Sequence, residues 1–472
     1  MIATDLTALL ALGSIALFVI GLKRLSRVRT ARSGNALMAS GMLLAILITL
    51  LEIGLVDYRW IIGGLLVGGG IGYAIVARAQ ATQMPEIVAR FNGFGGASSA
   101  LVALSLFWFE VVETAGDGTA AATLGGTSAA TLVLSVLIGS VTLSGSVLAE
   151  LKLHGTIDGT PRIPVRGPVM GVLALGGLAL GVVAVFAIDD PFVAAALVIG
   201  LVVASVLAGV VLVVPIGGAD MPVVISLLNS LSGLAAAATG FALGNELLII
   251  AGTIVGAAGL ILTQIMCVAM NRSLLNVLVG GYGEGGTTEH GEYGHVVSTD
   301  PESAAMVLEA AQSVIIVPGY GLAAARAQNA AFELAQALQR IGCEVRFAIH
   351  PVAGRMPGHM NVVLAEAEVP YELLFEMSEI NQDFAQTDVA IVVGANDVVN
   401  PAARTEPGSP IAGMPILEVG QARRVFVIKR SLSPGYAGIK NSLFEQDNTV
   451  MLYGDAKLML DQLASELTQA AK

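Results

Sequence analysis

A series of long apolar segments in the first 270 residues limits most strongly how this chain can fold. We count nine segments near the roughly 20 residues that a helix needs to cross a bilayer. They lie at 3–22, 34–55, 60–78, 86–109, 127–149, 167–187, 191–214, 222–243 and 246–269. These residues hold few ionisable groups, whereas the last 180 have an ordinary charge content. The chain is therefore expected to form a polytopic helical membrane domain followed by a soluble domain.

The loops that join the apolar segments alternate between basic and acidic character along the chain. The basic loops follow segments one, three, five and nine, and the other loops are mainly acidic. The positive-inside rule then places the N-terminus outside and the C-terminal domain in the cytosol. No basic region precedes the first segment, so we expect no cleavable signal peptide.

The remaining composition excludes several classes of function. The net charge is −12 with no basic patch, which argues against a nucleic-acid partner. Cys267 and Cys343 are too far apart in the sequence to indicate a disulfide framework or a metal site. His290 and His295 lie in the Gly-rich stretch 271–300, which we interpret as a solvated linker and not as a metal site.

Three apolar segments carry polar residues at helical spacing. In segment five these are Ser128, Thr131, Ser135, Gly139, Thr142, Ser146 and Glu150; in segment eight Ser226, Asn229, Ser230 and Gly233; in segment four Asn92, Gly96 and Ser99. One interpretation is close helix packing through small residues. The other is a hydrated path among segments four, five and eight, since polar groups inside a membrane are costly and often functional. Glu86 and Arg90 are predicted to form an i,i+4 pair at the cytosolic end of segment four.

Asp220 lies where segment eight begins, in the sequence Gly217-Gly218-Ala219-Asp220-Met221-Pro222. It suits a helix N-cap, because Asp before Pro is favourable there. It equally suits a carboxyl group that gains and loses a proton at the cytosolic mouth of the path. The sequence leaves both interpretations open.

After residue 300, predicted strands and helices alternate. The strands are 313–318, 345–350, 388–394, 424–429 and 450–453, and the helices are 322–341, 370–384 and 458–470. Such alternation predicts a soluble α/β Rossmann-like domain with a parallel sheet. We therefore divide the chain into a transmembrane domain (1–270), a linker (271–300) and a nucleotide-binding domain (301–472).

A glycine fingerprint follows the first of these strands and opens the first helix: Gly319, Tyr320, Gly321, Leu322, Ala323 and Ala324. Gly319 allows a tight turn, and Gly321 allows the backbone to approach a pyrophosphate at the helix N-terminus. The second strand ends at His350 without the acid that usually binds the ribose 2′-hydroxyl of NAD. Lys429, Arg430 and Ser431 end a later strand and offer two cations and a hydroxyl to a 2′-phosphate. The predicted cofactor is therefore NADP(H).

The chain resembles the beta subunits of proton-translocating NAD(P) transhydrogenases over essentially its whole length. Long motifs carry the resemblance: Met84-Pro85-Glu86, 217–224, 318–321, 350–361, 394–397, 429–431 and 435–438. It implies that hydride passes from NADH to NADP⁺ while a proton crosses inward. It also implies a Si-Re (B-specific) enzyme of the inner (plasma) membrane, surrounded by lipid, with NAD(H) bound by an alpha subunit and alpha–beta units paired as a dimer. The alternative interpretation is a nucleotide-gated channel or transporter without redox chemistry.

The resemblance also implies roles for individual residues. The fingerprint, Gly394, Ala395, Asn396 and the segment Val352, Ala353, Gly354, Arg355, Met356, Pro357 and Gly358 line the nucleotide. Asp397 lies toward the nicotinamide, Gly435, Tyr436, Ala437 and Gly438 form a loop over the cofactor, and Gly454, Asp455 and Ala456 lie by the adenosine. Asn92, Asp220, Asn229 and Glu86 belong to the proton pathway. Some family members have His at the position of Asn92, and Asn cannot take up a proton, so here Asn92 only orients water.

Overall fold

The computed structural model describes residues 2–25, 30–52, 58–113, 119–157, 161, 163, 166–217, 220–279 and 293–470. They form two compact units. The first contains residues 1–80, 86–215 and 225–262, and the second contains residues 81–85, 216–224 and 263–472. The predicted linker residues 280–292 lie outside the described residues.

Long apolar helices occupy the N-terminal part of the chain. They are α1 (Ile2–Leu25), α2 (Ala31–Glu52), α3 (Arg59–Ala77), α4 (Met84–Phe107), a short α5 (Ala120–Leu124), α6 (Gly126–Leu153), α7 (Arg166–Phe186), α8 (Pro191–Val213), α9 (Met221–Leu243) and α10 (Glu246–Ala269). Eight helices in the described residues, α2–α4 and α6–α10, are long and apolar enough to span a membrane. The prediction of a polytopic helical membrane domain is confirmed.

Glycines bring several of these helices into close contact. A Cβ atom on Gly96 of α4 would lie 2.7 Å from the carbonyl oxygen of Gly139 on α6. One on Gly233 of α9 would lie 2.4 Å from the amide nitrogen of Gly256 on α10. Since the bilayer gives apolar helices no hydrophobic reason to associate, contacts between small residues are a main source of their packing energy.

The soluble part begins with α11 (Leu274–Val279) and α12 (Pro301–Glu309) and then builds a six-stranded parallel sheet. The strands are β1 (Ser313–Pro318), β2 (Glu344–Ile349), β3 (Leu374–Glu376), β4 (Val389–Val393), β5 (Arg424–Lys429) and β6 (Thr449–Tyr453). Their spatial order is β3-β2-β1-β4-β5-β6, and each neighbouring pair is parallel. This is the order of doubly wound dinucleotide-binding folds, whose ligands bind where the order reverses, between β1 and β4.

Two hydrophobic clusters cover the two faces of the sheet. On one face α12, α13 (Tyr320–Ala324), α14 (Gln328–Arg340), α15 (His359–Glu366) and α18 (Ala456–Ala470) pack against β1, β2 and β4. On the other face shorter elements supply Ile380, Phe384, Val399, Leu443 and Phe444. Helices α16 (Met377–Ile380) and α17 (Ala402–Thr405) lie in the connections before and after β4. Because both faces are covered, the central strands are almost wholly apolar.

The predicted strands are confirmed to within a residue or so at each end, but two of the predicted helices are wrong. The expected helix 322–341 is interrupted between α13 and α14, where Arg326 adopts a left-handed conformation with φ +52°. The expected helix 370–384 is instead β3 followed by α16 and 3₁₀ turns. Pairing of Leu374 and Phe375 with β2 overrides the local helical pattern there. The sequence analysis also missed α15.

Candidate functional site

A cavity of about 600 Å³ lies at the carboxyl ends of β1, β4 and β5. This is the place where doubly wound sheets bind their ligands, and the volume is in the range of ligand pockets. The predicted residues that line it are Gly319, Tyr320, Gly321, Ala324, Val352, Ala353, Gly354, Gly394, Ala395, Asn396, Asp397, Lys429, Arg430, Ser431, Gly435, Tyr436, Gly454 and Ala456. Segments far apart in the sequence therefore converge on one site.

Two glycine turns close against each other at the base of the cavity. A Cβ on Gly319 would lie 2.4 Å from Ala395 Cα, and one on Gly321 would lie 2.6 Å from Gly394 Cα. The amide of Gly321 donates to the carbonyl oxygen of Gly394 at 2.9 Å, and Gly394 itself has φ +64°. The fingerprint glycines thus serve turn-to-turn packing. Leu322 and Ala323 do not line the cavity because they are buried in the core.

The end of β5 carries the cationic group that the sequence predicted. Lys429 Nζ donates to the carbonyl oxygen of Ser433 and lies 5.2 Å from the ring centre of Phe444. Burial lowers the pKa of Lys429 to about 8, and the charge of Asp397 partly opposes that shift. Arg430 donates to Asp455 at 2.9 Å, and the hydroxyls of Ser431 and Ser433 are 2.9 Å apart. Asp455 does not line the cavity, since it pairs with Arg430.

Asp397 is a buried carboxyl group in the cavity wall, and burial raises its pKa. Its Oδ2 accepts a hydrogen bond from the amide of Ala437 at 3.0 Å. A Cβ on Gly435 would come within 2.5 Å of Oδ1, so a larger residue there would displace the carboxylate. Oδ1 of Asp397 and Nδ2 of Asn396 are buried without a hydrogen-bond partner among the described residues. An acceptor and a donor are therefore left unsatisfied in this wall.

Arg355 does not itself line the cavity, but it joins two predicted residues that do, Tyr320 and Tyr436. Its guanidinium lies 4.4 Å from the ring centre of Tyr320, and its Nε donates to the Tyr436 hydroxyl at 3.2 Å. The Tyr320 and Tyr436 rings are 6.3 Å apart. Of the predicted neighbours, Met356, Pro357, Gly358, Ala437 and Gly438 do not line the cavity, and Gly358 instead begins α15 with φ +68°.

Two buried histidines shape the loop that follows β2. His350 donates from Nε2 to the carbonyl oxygen of Pro415 at 2.8 Å and accepts from the amide of Val352 at Nδ1. Nδ1 of His359 accepts from the amide of Arg355 at 2.9 Å. Burial lowers the pKa of each to about 4, so both are neutral at pH 7. Their role is to hold the backbone of 350–359 in place.

Sequence reasoning missed several residues that line the cavity: Ala325, Val398, Met414, Ile428, Ser433 and Pro434. Ser433 and Pro434 carried a readable signal, because they follow Lys429-Arg430-Ser431 directly and precede Gly435 in a turn-forming sequence. Met414 carried none, since a long irregular connection brings it to the site.

The polar faces of the helical bundle come together only in part. Ser135 of α6 donates to the carbonyl oxygen of Ser99 on α4, and its hydroxyl lies 2.6 Å from that of Thr239 on α9. Ser226 and Ser230 of α9, however, donate to the carbonyl oxygens of Gly259 and Gly256 on α10. These hydroxyls therefore bond helices to one another, as the packing interpretation expects.

The remaining proton-pathway candidates are spread along the helices. Asn92 is buried, and its Nδ2 donates to the carbonyl oxygen of Ile225 at 3.3 Å. Asn229 lies half-buried on α9. Ser146, three helical turns along the α6 face from Ser135, is buried with a hydroxyl that has no partner in the described part of the chain.

The predicted pair of Glu86 and Arg90 is wrong. Arg90 instead pairs with Glu150 of α6, while Glu86 accepts a hydrogen bond from Nδ1 of His154 at 3.2 Å. Arg90 and Glu86 therefore each find a partner at the end of α6 instead of on their own helix. All four groups therefore tie one end of α4 to the end of α6.

Asp220 lies at the start of α9, as one of the two interpretations expects, and its proposed role in proton exchange stays a prediction. Its carbonyl oxygen accepts from the amides of Val223 and Val224, so it begins α9. Its carboxylate is fully buried and lies 3.3 Å from the guanidinium of Arg272. A buried charge of this kind is stable only with such a partner.

The chain matches the family described as "NAD(P) transhydrogenase beta subunit" over residues 7–466. The protein "NAD(P) transhydrogenase subunit beta" of Rhodospirillum rubrum is 48% identical over 456 residues, which cover 96% of this chain and 97% of that protein. A second relative of the same name, from a particular strain of that organism, matches to the same extent.

Proposed function

The chain belongs to the family of NAD(P) transhydrogenase beta subunits, and we propose on that premise that its soluble domain binds NADP(H) at the carboxyl ends of β1, β4 and β5. Membership makes it a membrane protein that works with an alpha subunit on nicotinamide nucleotides. The alternative of a nucleotide-gated channel without redox chemistry finds no support in these relatives.

The observation that carries the proposal is the cationic end of β5 beside a glycine turn at the reversal point of the sheet. Lys429 and Arg430, with the hydroxyls of Ser431 and Ser433, form the one cluster of this kind that the described residues place on the cavity. Two cations and two hydroxyls suit a 2′-phosphate, which NADP(H) carries and NAD(H) lacks. The 350–359 loop supplies no acid to the cavity that would repel it.

The wall formed by Asn396 and Asp397 fits the nicotinamide end. A carboxamide offers an acceptor oxygen and a donor NH2 group, and the wall has a donor on Asn396 and an acceptor on Asp397 without partners in the described residues. The hydrogen bond from Arg355 to Tyr436 links the 350–359 loop to the 434–438 loop beside the cavity. Bound NADP(H) supplies the carbon that gains or loses the hydride, and the protein needs only to orient it and keep it dry.

The other half of the reaction belongs to the partner. Hydride transfer needs two nicotinamides in contact, so the NAD(H) site lies on the alpha subunit, and this chain alone is inactive. In the proposed complex the enzyme is of the Si-Re (B-specific) type, and alpha–beta units pair as a dimer in the lipid of the inner membrane. The N-terminus lies outside and the nucleotide domain in the cytosol.

Proton movement is proposed to act on this site through conformation. A proton that crosses 100 mV releases about 2.3 kcal/mol, and about 1.4 kcal/mol changes an equilibrium tenfold. One proton per turnover would then shift the product ratio by one to two decades. Asn92, Asn229, Glu86 and Asp220 are the proposed groups of the path, and their protonation and hydration bias NADP(H) affinity reciprocally.

The test compares the chain with and without its alpha subunit in sealed liposomes. We expect no hydride transfer from NADH to NADP⁺ by this chain alone, and transfer that accelerates under an inward proton gradient once the alpha subunit is added. Calorimetry on the purified chain should show much tighter binding of NADPH than of NADH. Equal affinity for the two nucleotides would remove the proposed phosphate site.

A further inference from the structure

Residues 293–299, which we call the strap, add a short seventh strand-like segment to the edge of the sheet. Ser298 forms a parallel bridge with Met451 of β6. The amide of Thr299 donates to the carbonyl oxygen of Met451 at 3.0 Å, and the amide of Met451 donates to that of Val297 at 2.8 Å. The strap is the C-terminal part of the predicted linker 271–300 and follows residues 280–292 in the chain. Its hydrogen bonds to β6 join this part of the linker to the nucleotide domain.

Tyr293 is the first residue of the strap and contacts Lys440, Asn441 and Phe444. Its ring stacks on Phe444 with centroids 6.0 Å apart and planes 24° apart. Its hydroxyl accepts a hydrogen bond from the amide of Asn441 at 3.1 Å. Lys440 Nζ lies 5.0 Å from the centre of the ring and pairs with Glu445. Stacking alone would need only a phenyl ring, so the hydroxyl adds a specific connection to Asn441.

Asn441 links Tyr293 to Asn396 in the cavity wall through hydrogen bonds. It is fully buried, and its Nδ2 donates to both Oδ1 and the carbonyl oxygen of Asn396, at 2.9 and 3.1 Å. Its Oδ1 accepts from the amide of Leu443. Every polar group of its side chain is thus engaged, which fixes its geometry. Asn396 stands next to Asp397, whose carboxylate holds the amide of Ala437 in the 434–438 loop.

A second contact runs from the strap toward the phosphate site. The Phe444 ring that stacks on Tyr293 also lies against Lys429, whose Nζ is 5.2 Å from its centre. Phe444 is fully buried, so a displacement of Tyr293 must move it or leave a void. The strap therefore touches both the wall at Asn396 and the cation at Lys429.

We propose that Tyr293 and Asn441 are positioning residues through which the strap sets the affinity of the NADP(H) site. The Tyr293 hydroxyl holds Asn441, Asn441 holds Asn396, and Phe444 supports Lys429. A displacement of the strap at Tyr293 then alters nucleotide binding without touching the nucleotide. The proposal rests on the NADP(H) site described above.

The experiment uses the full-length chain in detergent and compares Tyr293→Phe and Asn441→Ala with Tyr371→Phe. The control removes a hydroxyl beside β3, at the opposite edge of the sheet. Three quantities are measured: the dissociation constant of NADPH by calorimetry, backbone amide hydrogen exchange without nucleotide, and, with the alpha subunit added, the KM values for NADPH and NADH.

Tyr293→Phe should raise the dissociation constant of NADPH about three- to tenfold, the range expected for one lost hydrogen bond. Exchange should quicken at 396–399 and 434–438 and stay unchanged in α14 and α18, which a general loss of stability would not produce. The KM for NADPH should rise and that for NADH should not. Asn441→Ala should have a larger effect in the same direction, and Tyr371→Phe none.

Unchanged NADPH affinity and unchanged exchange at 396–399 in Tyr293→Phe would overturn the inference, even if Asn441→Ala fails to fold. Uniformly faster exchange across the domain would overturn it as well, since that result means a purely structural role. If the wild-type chain does not bind NADPH, the proposed function itself fails, and the wild-type titration distinguishes that outcome from the other two.

Discussion

Both units of the molecule use glycine to bring backbones together, but to different ends. In the helical unit Gly96 faces Gly139, and Gly233 faces Gly256, so the contacts join helix to helix. In the soluble unit Gly319 and Gly321 face Gly394 and Ala395, so the contacts join two turns at the base of a cavity. The first kind of contact supports the bundle as a whole. The second supports one site, which means that the same substitution should give different measurable results in the two units.

The largest effect should come from Gly394→Ala. The added Cβ would lie 2.4 Å from Gly321 Cα, and the residue has φ +64°, so the two turns must separate. We expect a loss of NADPH affinity of about 100-fold, because overpacking and backbone strain together cost about 3 kcal/mol. Calorimetry measures it. Gly408→Ala is the matched control, because a Cβ at Gly408 meets no atom within 4 Å; equal losses in both variants would contradict the explanation.

Lys429→Ala should be next in size. Removing a charge-assisted hydrogen bond costs about 1.5–3 kcal/mol, so NADPH affinity should fall about 10- to 100-fold while the weaker NADH affinity stays the same. Titration of both nucleotides checks the difference. A proportional loss for NADH would mean that Lys429 supports the fold of the cavity and does not bind the 2′-phosphate.

Gly233→Ala should affect stability and leave binding intact. Its Cβ would lie 2.4 Å from the amide nitrogen of Gly256, and overpacking of this kind costs about 1–3 kcal/mol. Thermal unfolding in detergent should therefore occur at a lower temperature, with the dissociation constant of NADPH unchanged. A change in NADPH affinity would show that the contact between Gly233 and Gly256 serves more than the packing of α9 against α10.

The smallest expected effect is a dependence of NADPH affinity on pH, which arises from Lys429 in the soluble unit. The pKa of Lys429 is about 8, so the lysine is charged below pH 8 and neutral above it. NADPH affinity should fall as the pH rises from 8 to 9, by at most about tenfold, because one proton is lost. Lys429→Arg keeps its charge at these pH values and should bind equally well across the range. A wild-type affinity that is flat from pH 7 to 9 would contradict the assignment.

The sequence predicted the soluble unit better than the helical one, for a physical reason. Phosphate recognition needs glycine turns and cations at strand ends, and these leave a local pattern at 319–324 and 429–431. Polar residues in a membrane helix serve packing or transport equally well, so spacing alone did not show that Ser226 and Ser230 would bond to α10. The pair of Arg90 with Glu150 was missed because it depends on which helices are neighbours. The short strand β3 was missed because its pairing with β2 outweighs its local helical pattern.

The contact between Arg430 and Asp455 has a consequence for how the site empties. The guanidinium has a carboxylate neighbour in the structure, and 73% of its side chain is exposed. A phosphate that binds Arg430 must compete with Asp455. The net free energy of binding is therefore the difference between two similar electrostatic interactions. When the phosphate leaves, Asp455 pairs with Arg430 again, so the arginine is not left as an unpaired cation that rebinds the product. At the proposed NADP(H) site this exchange would shorten the residence time of the product, since the carboxylate that pairs with Arg430 stands beside the cavity.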